Sequence, residues 1–213
     1  MSRTRVAVLA SGRGSNLVAL MDAAAQPGFP AEIALVLSNR PDAAALDRAH
    51  DAGIPALAID HRPFGRDRAA HERAIDAELG NHGAQLVCLA GYMRLLTPWL
   101  VERWAGRMLN IHPSLLPAFP GLHTHERALA AGCRLHGCTA HLVTAGMDEG
   151  PILAQAAVPV LPGDTADALA ARVLVQEHRL YPAALAEFIT GRADRPPRLA
   201  SLLNPLPLLS RAP

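Results

Sequence analysis

Residues 5–16, RVAVLASGRGSN, decide how the chain is read. Arg5–Ala10 is a short, continuous apolar run, the pattern of a strand buried on both faces. Ser11–Asn16 (SGRGSN) then turns the chain, and Leu17–Ala25 continues at helical spacing. The same unit recurs downstream. Glu32–Leu37 (EIALVL) is a strand, Ser38-Asn39-Arg40-Pro41 a turn, and Ala43–Ala52 an Ala-rich helix closed by Gly53. Ala56–Ile59 is a third strand, Asp67–Leu79 a helix, Gln85–Ala90 (QLVCLA) a fourth strand and Arg107–Ile111 one more. Alternating strands and helices predict an α/β fold with a mostly parallel, doubly wound sheet, Rossmann-like in its N-terminal half. The pattern then changes. Gly137–Thr144 and Pro151–Pro159 predict two strands joined by a turn, an antiparallel extension of the sheet. A long helix is expected from about Thr165 to Phe188, with Asp164 as N-cap and a kink or break at Pro182. One domain is expected over residues 1–190, followed by a loosely packed tail at 191–213.

The totals bound the function. The chain has 213 residues, 50% hydrophobic and 18% charged, a globular composition. Lys plus Arg number 20 against 19 Asp plus Glu, so no strong field favours nucleic acid or an anionic membrane as partner. Cys88, Cys133 and Cys138 form no Cys-x-x-Cys pair and suggest free thiols in a reducing compartment. The apolar N-terminal run is too short for a signal peptide or membrane span, so a cytoplasmic location is expected.

The glycine loop Gly12-Arg13-Gly14-Ser15-Asn16 joins a strand to a helix. Glycines there allow an anion close to the backbone, and free N–H groups at the helix start donate to it. An ordinary tight turn capped by Ser15 fits equally well. Leu17 stands in the last place of a Gly-x-Gly-x-x-Gly pattern, and Asn39 and Arg40 occupy the usual acidic position, which disfavours a dinucleotide. Ten histidines raise the question of a metal. His123, His125, His136 and His141 could be drawn as ligands, but their spacing fits no standard site, and most read as surface or core histidines. Asn110 and His112 differ: in a strand they share a face, and at a strand's C-terminal end that face opens on the ligand crevice of an α/β sheet. An Asn amide can donate to an oxyanion, and a His can move a proton. Asp148 lies in an Asp-Glu-Gly-Pro turn composition, and Glu177 in a helix where a solvated face is the ordinary reading.

Taken together, SGRGSN (11–16), LAGYMRLL (89–96), LNIHPSLLPAFPGLHTH (109–125), HGCTAHLVTAGMDEGP (136–151) and QEHRLYP (176–182) resemble the glycinamide ribonucleotide formyltransferases, a purine-synthesis family using 10-formyltetrahydrofolate. The resemblance runs from about Val6 to Phe188 and implies the formyltransferase fold. It implies a nucleotide-binding half over about 1–100 and a folate-binding, catalytic half over 101–190. It implies that Asn110, His112 and Asp148 are catalytic. Gly12, Gly14, Ser15 and Asn16 would hold the ribonucleotide phosphate, and Glu177 its amine and ribose end. Arg68, Met93, Arg94, Leu95, Leu96, Asn110, Ala145, Gly146, Met147 and Asp148 would line the folate site, with Arg66 competing for the place of Arg68. The folate is a consumed cosubstrate, and no metal is implied. Glycinamide ribonucleotide and the formyl folate are then the partners of a monomer or homodimer. Leu174 departs from the family, where a polar residue is common, and Arg13 is the expected electrostatic compensation.

Three rivals remain at this level. A methionyl-tRNA formyltransferase would share HPSLLP but should carry a further domain and a basic surface. A formyltetrahydrofolate hydrolase should carry an extra N-terminal domain. A non-catalytic nucleotide-binding module would have no reason to combine Asn110, His112 and Asp148.

Overall fold

A computed structural model describes residues 2–191; the expected tail lies outside them apart from Gly191. Seven strands form one sheet: β1 (Thr4–Ala10), β2 (Ala31–Ser38), β3 (Ala56–Ala58), β4 (Leu86–Leu89), β5 (Met108–His112), β6 (Leu135–Leu142) and β7 (Ile152–Pro159). Six α-helices accompany them: α1 (Ser15–Ala24), α2 (Ala44–Asp51), α3 (Arg68–Asn81), α4 (Pro98–Arg103), α5 (Thr124–Ala130) and α6 (Ala166–Ile189). The strand order is β3-β2-β1-β4-β5-β6-β7. β1 to β5 pair in parallel, while β5–β6 and β6–β7 are antiparallel. The expected architecture is present, antiparallel extension included.

The doubly wound form follows from side-chain alternation in β1. Val6, Val8 and Ala10 point into a core shared with Leu17 and Leu20 of α1 and with Leu169, Val173 and Tyr181 of α6. Ala7 and Leu9 point the other way, onto Ile75 and Leu79 of α3 and Leu100 of α4. A strand covered on both faces has no polar side, which is why its sequence reads as an apolar run rather than an alternation. β1 lies between β2 and β4, so the connections after β1 and β4 leave the sheet in opposite directions and open a crevice at its C-terminal edge.

Local expectations at helix ends are partly corrected. Thr165, not Asp164, caps α6: its side chain accepts from the Ala168 N–H. Asp164 instead pairs with both terminal nitrogens of Arg172, at 2.8 and 2.9 Å. Gly14, not Ser15, occupies the N-cap of α1 with φ 73°, a left-handed conformation that glycine adopts without a Cβ penalty. Pro182 neither splits nor ends α6, which runs unbroken from Ala166 to Ile189. Leu180, Tyr181, Ala184 and Leu185 around it are buried, and this packing outweighs the single hydrogen bond a proline removes. α4 and α5 are too short to leave a periodic signature in the sequence.

Tyr181 ties α6 to the sheet. It is fully buried, and its hydroxyl hydrogen is shared between the carbonyls of Leu89 (3.1 Å), the last residue of β4, and Leu109 (3.0 Å), near the start of β5. Tyr181→Phe leaves those carbonyls without this donor and should cost about 1–3 kcal/mol. A lowered urea midpoint at unchanged slope is the expected reading.

Candidate active site

Three connecting segments meet at the C-terminal edge of the parallel strands. Ser11, at the end of β1, ties two of them together. Its N–H donates to Gly91 O (3.1 Å), its hydroxyl donates to Asn39 Oδ1 (2.6 Å), and the same oxygen accepts from Met93 N–H (2.8 Å). The glycine loop is thereby fixed against the segment that follows β4. Gly12 O accepts from Ala45 N–H of α2 (3.1 Å), and a Cβ on Gly14 would lie 2.9 Å from the Ala45 Cβ. Only glycine fits at position 14. Val18 is the first α1 amide bonded back into the helix, to Gly14 O. The Ser15, Asn16 and Leu17 amides before it are left without intrahelical acceptors, as at any helix start, and no acidic residue occupies the first turn. The loop therefore presents open N–H groups and a favourable dipole, the requirements of an anion site.

Asn16 and Glu177 meet beside this loop although 161 residues apart: Asn16 Nδ2 donates to Glu177 Oε2 at 2.6 Å. Both are buried, and burial pushes the Glu177 carboxyl pKa up, opposed by that hydrogen bond. Asn16 Oδ1 is buried with no partner. A carboxylate and an unmatched carbonyl oxygen, both acceptors, suit a ligand that brings N–H or O–H donors.

The second cluster forms where β5, β6 and the β6–β7 turn converge. Asn110 stands opposite His141 across the β5–β6 ladder, and His112 opposite Thr139. His141 Nδ1 lies 2.9 Å from Leu142 O, an acceptor only, so this nitrogen carries the hydrogen. Burial lowers the His141 pKa, with the nearby Asp148 working against it. Its Nε2 then accepts from Asn110 Nδ2 at 3.1 Å, which fixes the orientation of the Asn110 amide. His112 is 6% exposed. Its Nε2 faces Phe119 O at 3.0 Å and its Nδ1 faces Asp148 Oδ2 at 3.4 Å. Asp148 Oδ2 also accepts from Gly121 N–H (2.8 Å), and Oδ1 lies 3.7 Å from His141 Nε2. Asn110, His112 and Asp148 are thus joined in one group, with His141 between Asn110 and the carboxylate.

Backbone strain concentrates here. Among the described residues, Phe119 (φ 55°), His123 (φ 58°) and Asp148 (φ 56°) are the non-glycine residues in left-handed conformation. Such conformations persist only where surroundings impose them, and they gather at functional sites. Phe119 is held by the bond to His112 and by Arg127 stacked over its ring at 5.5 Å.

Arg68, Met93, Arg94 and Leu95 line an open depression of about 240 Å³. Arg68 opens α3 and belongs to this lining; Arg66 does not. Glu72, one turn along α3, accepts from Thr97 N–H (2.8 Å) and from the Thr97 hydroxyl, so it ties α3 to the segment carrying Met93–Leu96. Met93 and Leu95 are exposed, as is Met147 in the turn Ala145-Gly146-Met147-Asp148. Leu96 is half-buried against the α3–α4 core. Apolar side chains held in the open beside cationic ones suit a flat, partly apolar, anionic ligand.

A family model described as Formyl transferase matches residues 4–185. The chain belongs to the formyl transferase family. Phosphoribosylglycinamide formyltransferase of Escherichia coli (strain K12) is 45% identical over 187 residues, 88% of each chain. A crystal structure of phosphoribosylglycinamide formyltransferase from Brucella melitensis shares 57% identity with a TM-score of 0.85, covering 89% of this chain and 97% of that one. Trifunctional purine biosynthetic protein adenosine-3 of Drosophila melanogaster is 47% identical over 201 residues. That match covers 93% of this chain and 15% of the fly protein, so the chain spans less than a fifth of that relative's length.

Four contributors to the site carry no mark in the sequence that singles them out. His141 looked like one of several stray histidines, because its pairing with Asn110 depends on strand register. Ser11 and Glu72 work through contacts 82 and 25 residues away, and Gly121 through a bond to Asp148 27 residues away. Among the described residues no group of three or more His, Cys, Asp or Glu is placed to hold a metal ion. Nor is any described helix long and apolar enough to cross a membrane.

Proposed function

We propose that this chain transfers the formyl group of 10-formyltetrahydrofolate to the amine of glycinamide ribonucleotide in purine biosynthesis. The observation that carries this reading is the convergence of Asn110, His112 and Asp148 at the mouth of the crevice. The open amides of Ser15–Leu17 at the start of α1 suit a phosphate, and the Asn16–Glu177 pair suits the amine and ribose end. The depression at Arg68 and Met93–Leu95, with the 145–148 turn, suits the folate. Each half of the chain contributes: Arg68 and Met93–Leu96 fall within residues 1–100, and the catalytic group within 101–190.

The chemistry is a substitution at a formyl carbon. The amine nitrogen bonds to that carbon, and its oxygen takes the charge of a tetrahedral oxyanion. Asn110 Nδ2, whose one hydrogen is committed to His141, has a second to donate to that oxygen. A protonated His112 supplies the other donor: its Nε2–H stays on Phe119 O, and its Nδ1–H, 3.4 Å from Asp148 Oδ2, is shared with the oxyanion. The bond to the folate nitrogen then breaks; the proton released by the attacking amine is passed to that nitrogen. Asp148 supports the imidazolium by opposite charge and holds water for the transfer.

Formyl transfer by the purified chain, followed with both substrates, tests this. Consumption of formyl folate without the amine acceptor would instead mark a hydrolase, and binding without turnover a non-catalytic module. Arg68→Ala should raise the KM for formyl folate by about ten-fold, the value of one charge-assisted contact, and leave the ribonucleotide KM unchanged. Arg66→Ala should change neither.

A further inference from the structure

Thr139, across the ladder from His112, also stands opposite Gln155 of β7. Residues directly opposite in adjacent strands project from the same face, so His112, Thr139 and Gln155 form one polar row across three strands. The segment after His112 folds back over this row. Thr139 is fully buried. Its hydroxyl donates to Ser114 O (2.6 Å) and accepts from Leu116 N–H (3.0 Å). Gln155 Nε2 completes the arrangement: one hydrogen goes to Thr139 Oγ1 (3.0 Å) and the other to Leu116 O (2.8 Å). Ser114 Oγ in turn donates to Ala118 O (2.6 Å). Gly137 has no side chain to interfere: a Cβ there would lie 2.9 Å from Leu115 Cδ2 and would strike Ala156 O.

The pinned segment leads directly to the two contacts that organise the candidate site. Phe119 O meets His112 Nε2, and Gly121 N–H meets Asp148 Oδ2. We propose that Gln155 is a positioning residue for formyl transfer: from the sheet edge its carboxamide fixes the 113–121 segment that aligns His112 with Asp148. This rests on the functional reading above. Gln155 touches no reacting atom in it.

Gln155 is exposed on an edge strand, so its variants keep the core intact. Gln155→Leu keeps the bulk and removes both donors. Gln155→Glu keeps the shape and turns an acceptor toward Leu116 O. Both should lower kcat about ten-fold, the worth of two hydrogen bonds, with the KM of each substrate within about two-fold. In a His112→Ala background, Gln155→Leu should have no further effect on kcat, because it acts through His112. Hydrogen exchange supplies a readout independent of activity. The Leu116 and Gly121 amides should exchange about ten-fold faster in both variants, and the β1 and β4 amides at the wild-type rate. An unchanged Gly121 amide, or equal loss of kcat with and without His112, overturns the proposal. A wild-type chain that binds both ligands but transfers no formyl group overturns the functional reading instead, and hydrogen exchange still decides whether Gln155 fixes the segment.

Discussion

His112→Ala is expected to lower kcat by about 10³-fold or more, since one oxyanion donor is worth about 10²–10³ and proton transfer adds to it. The KM of either substrate should change little. The imidazole faces Phe119 O and Asp148 Oδ2, not the glycine loop or the Arg68 depression, so the ground-state grips on the ribonucleotide and the folate are left in place. Steady-state kinetics with both substrates, beside a thermal melt showing a folded chain, provide the check. A variant with more than a tenth of the wild-type kcat would remove His112 from the mechanism and leave Asn110 as a lone donor.

Asp148→Asn is expected to slow turnover by about 10²–10⁴-fold, the range for a group that governs proton transfer. Asn is the informative replacement because position 148 has φ 56°, and Asn tolerates the left-handed region almost as glycine does. The backbone is therefore not a confounding cause. The charge is lost, and the amide cannot accept at both oxygens. If its oxygen keeps the Gly121 N–H, its NH2 faces His141 Nε2 and competes with Asn110 for that lone pair. If it flips, two donors confront each other at Gly121. In either orientation His112 loses its countercharge. Because the two groups act as a unit, the His112→Ala, Asp148→Asn double variant should be about as slow as the slower single variant. Multiplicative losses would show that Asp148 acts independently of His112.

How far the sequence reads depends on the range of the interaction. The candidate catalytic residues are legible because Asn110 and His112 sit two apart at the end of an apolar strand. The family resemblance adds Asp148. His141 is not legible: its partner Asn110 is 31 residues distant, and a slip of one residue between β5 and β6 would turn it to the other face. Gln155 belongs to no motif, and its donors reach Leu116, 39 residues away, only because three strands fall into register. The choice between Arg66 and Arg68 is similarly invisible, since it depends on where α3 begins: Asp67 caps the helix, so Arg68 opens it and Arg66 stays in the preceding loop. Pro182 and Asp164 misled for the opposite reason. The local rule was sound for each, but packing of α6 in one case and Arg172 in the other competed with it and prevailed.

The sequence alone determined the strand–helix alternation, the two-faced burial of β1, the antiparallel extension and the glycine turn. Each depends on periodicity or turn chemistry within a dozen or so residues, where backbone geometry sets side-chain direction. Tertiary structure alone decided that Asn110, His141, Asp148 and His112 form one connected group, that Asn16 meets Glu177, and that Gln155 holds the loop between them. Those contacts join segments tens of residues apart in the chain, and only the sheet's register and the packing of α6 against it bring their side chains to a common point.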